Sequence, residues 1–408
     1  MDNKSILLIM PYGSVGGMER LALSFYNQYK KEGYTVKALK FIKLKNDIIN
    51  FGKDELSLSL LDFSEMSKVQ RLKFYLSSPL FINKIIKKYK ITHSIAFGDM
   101  ANLFSSLSFS KEYKIGSIHA LKSVEFKNDS TFNKIVKYGY KTCYKKLNKL
   151  VCISKAIKLD LINHCNYKFE NLEIIYNPHD IESIERLSQE PITDLLEQNL
   201  FSSKTVLFVG RLSIQKAPWH LIKAFKLINA QETCSNLIII GDGDHNVTNY
   251  IKKLIITLNI EQNVCFLGRK SNPYKYMKAA NVLALSSYYE GTPNVIVESV
   301  AVGTPIVSSL CTDGIIELMT LNYKNISNGN TEVEAGIITP NFFKDKLQMP
   351  NDIDINFTKE EKNMSQAILK VINNDSYKNK LLDNREALLA KYKIKQVTNK
   401  YLMPLTIF

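Results

Sequence analysis

The chain has 408 residues, 45% of them hydrophobic and 23% charged, with 54 Lys+Arg against 39 Asp+Glu. That length exceeds what a single hydrophobic core usually supports, so two domains of roughly 200 residues are expected, and the composition excludes extensive disorder and fibrous classes. No run of about 18 apolar residues occurs and Met1 to Met10 lack a basic stretch with a cleavage site, so the expectation is a cytoplasmic protein, neither secreted nor membrane-spanning.

In chain order, Ser5 to Met10, Thr35 to Phe41, Thr92 to Phe97, Lys114 to His119, Leu150 to Ile153 and Leu172 to Tyr176 read as buried strands. Helical patterns such as Met18 to Glu32 and Phe132 to Leu147 lie between them. The alternation predicts a parallel sheet with crossover helices. Asn177-Pro178 ends this half, and residues 181–203 are polar, acidic and contain Pro191, as a linker or an exposed helix would. A second alternation follows in Thr205 to Val209, Asn236 to Ile240, Val264 to Leu267, Val282 to Leu285 and Pro305 to Val307. The reading is an α/β chain of two doubly wound domains, with boundaries at 1–180 and 204–389 and a terminal helix near 390–408 that packs back on the body. Ligands of such sheets bind beyond the carboxyl ends of the strands, so the expected site is the cleft between the domains.

Charge is uneven: residues 1–168 hold 29 Lys+Arg against 13 Asp+Glu, and the remainder 25 against 26. A one-sided basic surface attracts polyanions, whether nucleic acid, anionic headgroups or phosphate-bearing substrates, although it can equally be a solvated face rich in Lys. The six cysteines, Cys143, Cys152, Cys165, Cys234, Cys265 and Cys311, show no C-x-x-C spacing and read as reduced and structural. No histidine stands in a metal-ligand motif, so no metal site is read.

Four loops at strand ends carry candidate chemistry. Gly13-Ser14-Val15-Gly16-Gly17-Met18-Glu19-Arg20 opens a helix, where free amides favour phosphate, though a Gly-Gly before a helix can be only a tight turn. Gly210-Arg211 with Lys216 places two cations where a diphosphate could be neutralised, or where surface salt bridges form. Ile240-Gly241-Asp242-Gly243-Asp244 borders a nucleotide or is plain turn chemistry. Tyr289-Glu290-Gly291-Thr292-Pro293-Asn294-Val295-Ile296-Val297-Glu298 shapes a helix start with two carboxylates, which suit sugar and ribose hydroxyls, or a helix-capping acid and a surface Glu.

Together these loops resemble glycosyltransferase family 4, a large retaining GT-B family, over nearly the whole chain. Glu290 to Glu298 fits its E-x7-E signature. Gly16-Gly17, Ile118-His119, Val151-Cys152-Ile153-Ser154, Tyr176-Asn177-Pro178, Gly210-Arg211 with Lys216, Gly241-Asp242-Gly243 and Phe266-Leu267-Gly268 follow in the family's order. The resemblance implies a GT-B fold, with an acceptor-binding first domain and a nucleotide-sugar-binding second. It also implies that Arg211 and Lys216 hold the donor diphosphate, Glu298 the ribose, and Glu290 with the segment Gly291, Thr292, Pro293, Asn294 and Val295, through the amides it offers, the transferred sugar. Gly16 and Gly17 would approach the phosphate, Gly241 and Arg269 would border the donor, and His119 would face the sugar; Glu290, His119, Lys216 and Arg211 form the catalytic set. The family requires no metal or other cofactor, since protein cations stabilise the departing phosphate. The sequence departs from the pattern at Ala217, where Gly is usual, and at Cys311-Thr312-Asp313-Gly314, which keeps one Gly of a common pair.

Gly-Gly-Met-Glu-Arg and Asn272-Pro273-Tyr274 look like bacterial surface-polysaccharide transferases. They imply a UDP-hexose or N-acetylhexosamine donor, a glycan or lipid-linked acceptor, and a role in lipopolysaccharide or capsule synthesis. The basic first half fits peripheral contact with the anionic cytoplasmic leaflet. Phe132 to Leu150 is the expected contact: Lys134, Lys137, Lys141, Lys145, Lys146 and Lys149 flank Phe132, Ile135, Val136, Tyr140, Tyr144 and Leu147, as in an interfacial helix or a core helix with a solvated basic face. A GT-B nucleotide-sugar epimerase leaves the E-x7-E segment unexplained. A nucleic-acid-binding protein lacks helix-turn-helix, RNP or zinc signatures, so no nucleic-acid partner is expected.

Overall fold

The computed structural model describes residues 4–12, 17–44, 47, 49–126, 131–290, 292–322, 328–343 and 347–405. They form two compact units, Met1–His179 with Lys391–Phe408, and Asp180–Ala390. Among the described residues no helix is long and apolar enough to cross a membrane.

The first unit is built on β1 (Ser5–Met10), β2 (Thr35–Ile42), β3 (Glu55–Ser59), β4 (His93–Phe97), β5 (Tyr113–Ile118), β6 (Lys149–Cys152) and β7 (Leu172–Ile174). The described strands lie in the order β3-β2-β1-β4-β5-β6-β7, each pairing parallel. Helices cover both faces, so β1 is buried along its full length and its sequence SILLIM is apolar almost without interruption. The strand order reverses between β1 and β4, which opens a crevice at their carboxyl ends. The helix Ile394–Leu402 completes this unit: the Tyr401 ring lies 4.8 Å from that of Phe25, and Tyr29 donates to Thr398 O at 2.9 Å.

The second unit contains β8 (Thr205–Val209), β9 (Asn236–Ile240), β10 (Val264–Gly268), β11 (Val282–Leu285), β12 (Ile306–Ser309), β13 (Thr331–Val333) and β14 (Gly336–Thr339). Their order is β10-β9-β8-β11-β12-β14-β13, parallel except for the β13–β14 hairpin, with its own reversal between β8 and β11. Residues 181–203, read from the sequence as a linker, hold the helices Ile181–Ser188 and Leu195–Leu200. These are tied to this unit by Asn272 Nδ2 to Leu187 O at 2.9 Å and by Glu197, which meets Lys270 at 2.5 Å and Tyr276 at 2.6 Å.

One expected element is shorter than its apolar spacing suggests. The helix begun at Thr131 stops at Lys141, and Cys143–Lys146 form a single 3₁₀ turn. Val136, Tyr140, Tyr144 and Leu147 are core residues, at most 1% exposed. Lys149 belongs to β6, where its buried ammonium meets Glu173 at 2.7 Å and donates to Lys400 O at 2.8 Å. A continuous basic amphipathic helix over Phe132 to Leu150 is therefore not formed. Its lysines divide among a helix, a turn and a strand.

Candidate active site at the carboxyl edges of the sheets

In the second unit every described candidate residue sits just past a strand end or in the helix that follows. Beyond β8 the chain runs alongside the segment that leaves β9: Gly210 N donates to Ile240 O at 3.0 Å, Leu212 N to Asp242 O at 2.9 Å and Asp244 N to Leu212 O at 2.8 Å. The two backbones pass so closely that a Cβ on Gly241, whose φ is +140°, would stand 2.0 Å from Gly210 O, and one on Gly243 2.2 Å from Leu212 O. Gly241 and Gly243 thus let one loop brace the other. What they brace is Arg211, exposed and making no side-chain hydrogen bond among the described residues.

Lys216 follows in a turn closed by Lys216 N to Ser213 O at 3.1 Å. Next comes Ala217, buried and left-handed at φ +43°, ψ 53°, which explains why glycine is usual there. The turn aims Lys216 Nζ at Glu290 Oε1, 2.5 Å away. Ser287 donates to the same oxygen at 2.7 Å, and Gln215 Nε2 reaches Glu290 Oε2 at 3.3 Å and Tyr289 O at 3.1 Å. Ser286 Oγ to Ala217 O at 3.0 Å and Tyr288 N to Gln215 O at 2.8 Å complete the lacing of the two loops.

Gly291 lies outside the described residues. After Thr292 and Pro293 the helix Asn294–Val302 begins with no side-chain cap, so its first amides remain available to an anion or a sugar oxygen. Glu298 lies one turn in, partly buried; burial pushes its carboxyl up to about 7, against the pull of Lys216. Cys311, beside this group, is pushed up to about 12 by burial and by Glu290, so it stays a protonated thiol. Arg269 stands exposed after Gly268 at the end of β10.

In the first unit Gly17 opens the helix Gly17–Lys31 beyond β1, while Gly16 lies outside the described residues. His119 follows β5. Ser117 Oγ donates to Ala96 O at 2.9 Å and lies 2.8 Å from His119 Nε2, which assigns the imidazole proton to Nε2 and leaves Nδ1 as an acceptor. Burial pushes the ring down to about 3, with Lys122 acting in the same direction, so it is neutral.

The family model for glycosyl transferases group 1 matches residues 194–335, the stretch that holds all of these second-unit loops. The chain is a glycosyltransferase, and its match to group 1 lies within the second unit. It is 29% identical over 317 residues to the N-acetylgalactosamine-N,N'-diacetylbacillosaminyl-diphospho-undecaprenol 4-alpha-N-acetylgalactosaminyltransferase of Campylobacter jejuni, covering 75% of this chain and 80% of that one. It is 27% identical over 319 residues to an uncharacterised glycosyltransferase of Methanocaldococcus jannaschii, covering 75% and 77%. Among solved structures, Anabaena HepE in complex with UDP aligns at a TM-score of 0.70 and 18% identity over 97% of this chain and 98% of that one, which places the fold as GT-B.

In this glycosyltransferase the catalytic candidates Lys216 and Glu290 are one hydrogen-bonded unit, and Glu298 shares the field of Lys216. The structure adds Gln215 and Ser287, which orient Glu290 and were not singled out in the sequence. A second polar cluster lies behind them. Tyr288 OH is 3.0 Å from His220 Nε2, and His220 Nδ1 is 2.8 Å from Glu361 Oε1, a carboxylate that Lys223 also meets at 3.2 Å. Glu361 is fully buried and comes from the helix Lys359–Ile372, so a distant segment fixes both loops from beneath. Among the described residues no group of three or more His, Cys, Asp or Glu side chains is placed to hold a metal ion.

Proposed function

We propose that this glycosyltransferase is a retaining enzyme of family 4 that moves a hexosyl or N-acetylhexosaminyl unit from a UDP-sugar to a lipid-linked acceptor in bacterial polysaccharide, lipopolysaccharide or capsule biosynthesis. The observation that carries the reading is the Lys216–Glu290 pair set against the uncapped start of the helix Asn294–Val302. This grouping offers a cation and free amides to a diphosphate, and a carboxylate to sugar hydroxyls. Arg211 adds a second, uncommitted cation, and Glu298 is assigned to the ribose. Gly17 and His119, in the first unit, are assigned to substrate contact. The acceptor hydroxyl bonds to the anomeric carbon as the bond to the diphosphate breaks, and a diphosphate oxygen takes the hydroxyl proton. The protein cations stabilise the charge that develops, without an obligatory metal.

Support for the acceptor class comes from the Campylobacter relative, whose name specifies a diphospho-undecaprenol acceptor. Support for the donor comes from HepE, solved with UDP. A panel of nucleotide sugars offered with undecaprenyl-diphosphate saccharides and read by mass spectrometry tests the proposal. Anomeric configuration in the product is read by NMR. A product formed only from a donor other than a UDP-sugar, or one with inverted configuration, would overturn it.

A further inference from the structure

The helix Lys68–Lys88 is apolar on two sides. One side carries Phe74, Ile82, Ile85 and Ile86 into the core of the first unit. The other carries Val69, Leu72, Leu76 and Leu80, which are 75%, 60%, 68% and 56% exposed. At 3.6 residues per turn these four fall within about 80° of the helix circumference, a continuous stripe rather than scattered single residues. Exposed Leu60 and Leu61 lie on the connection that leads into the helix.

Charge frames the stripe. The helix has six Lys+Arg and no Asp or Glu. Lys68 falls on one edge of the stripe and Lys73 and Lys84 on the other, all exposed, and among the described residues none of them pairs with a carboxylate. Folded proteins seldom leave a contiguous apolar strip in water without a surface to cover it. A second copy of the chain is a poor cover, because two such helices face to face would oppose lysine to lysine with no acid on either. An anionic lipid leaflet suits both features: the apolar stripe enters the acyl boundary while the flanking lysines extend to headgroup phosphates.

We propose that the stripe Val69, Leu72, Leu76 and Leu80, with Lys68, Lys73 and Lys84, is a surface by which the first unit binds an anionic membrane. The proposal deepens the reading of a lipid-linked acceptor and rests on it for its biological purpose. Vesicle binding is measured without turnover, so the two fail separately.

The test is co-sedimentation of the full chain with vesicles of phosphatidylcholine alone or mixed with phosphatidylglycerol, at low and high salt. Three variants are compared: Leu72→Gln/Leu76→Gln/Leu80→Gln, Lys68→Gln/Lys73→Gln/Lys84→Gln, and Ile135→Gln/Tyr138→Gln. All these side chains are exposed, so thermal unfolding followed by circular dichroism should be unchanged. The parent protein is expected to bind the anionic vesicles, and the leucine variant to bind them at least about tenfold more weakly. The lysine variant should lose the preference for phosphatidylglycerol, and the Ile135/Tyr138 variant should bind as the parent does. Absence of parent binding, or undiminished binding by the leucine variant, would overturn the proposal. So would loss of binding in the Ile135/Tyr138 variant alone, or a parent dimer that the leucine substitutions dissociate.

Discussion

The Glu298→Gln substitution separates what the buried carboxyl costs from what it does. Folding raises this group from an ordinary 4.5 to about 7, with burial as the cause and Lys216 opposing it. Between those values the folded chain holds a proton that the unfolded chain has released, so stability falls as pH rises through this window. At about 1.4 kcal/mol for each tenfold change in proton affinity, the full penalty is about 3 kcal/mol above pH 7 and under about 1 kcal/mol at pH 5. Glutamine keeps the shape without the charge. The variant should therefore exceed the parent in stability by a margin that grows to about 3 kcal/mol at pH 8, while losing donor affinity. Urea unfolding followed by Trp219 fluorescence reads this directly, because Trp219 is the chain's one tryptophan and is buried in the second unit beside Tyr288. Parallel pH–stability curves for the two proteins would refute the reasoning.

Three further outcomes are expected. Lys216→Ala and Glu290→Ala should each lower transfer by about 100-fold or more while leaving the fold intact by circular dichroism, and unchanged turnover in either would count against the assignment. Arg211→Ala should shift stability by less than about 0.5 kcal/mol yet weaken donor binding about tenfold, whereas Gly241→Ala should destabilise the second unit by about 3 kcal/mol or more; calorimetric titration with nucleotide and Trp219-monitored unfolding distinguish them. His119, held at about 3 against an ordinary 6.5, contributes stability that is present above pH 6.5 and is lost as pH falls toward 3. His119→Gln should recover about 2 kcal/mol at pH 5 and nothing at pH 8, as followed by acid titration of the circular dichroism signal.

Strands that are apolar throughout were legible, SILLIM in β1 and NLIII in β9 because both faces are covered, and VCFLG in β10 although it is a half-buried edge strand, whereas the buried β14, GIIT, went unread. The strand β3 went unread because ELSLS alternates and is only half-buried at a sheet edge, and β13 because it is three residues long. Thr131–Lys141 was read too long because Tyr140, Tyr144 and Leu147 keep helical spacing past the point where the chain turns. Glu290 and Lys216 were visible because charge on a strand-end loop is conspicuous. Gln215 and Ser287 were not, since their role is hydrogen-bond geometry that spacing does not encode. The link from Tyr288 through His220 to Glu361 joins residues far apart along the chain, which only packing reveals.

The helix Ile394–Leu402 has a consequence for how the molecule is made. Its Tyr401 fills the space against Phe25, and its Lys400 carbonyl satisfies the buried Lys149 ammonium. The first unit is therefore assembled from two stretches that lie on either side of Asp180–Ala390 along the chain, while Asp180–Ala390 emerges as one uninterrupted stretch before the helix Ile394–Leu402 does. The usual order, in which the earlier-synthesised unit matures first, is therefore not imposed by this chain's layout. The later unit can finish folding while its predecessor still waits with an uncovered ring and a buried lysine held by Glu173 alone.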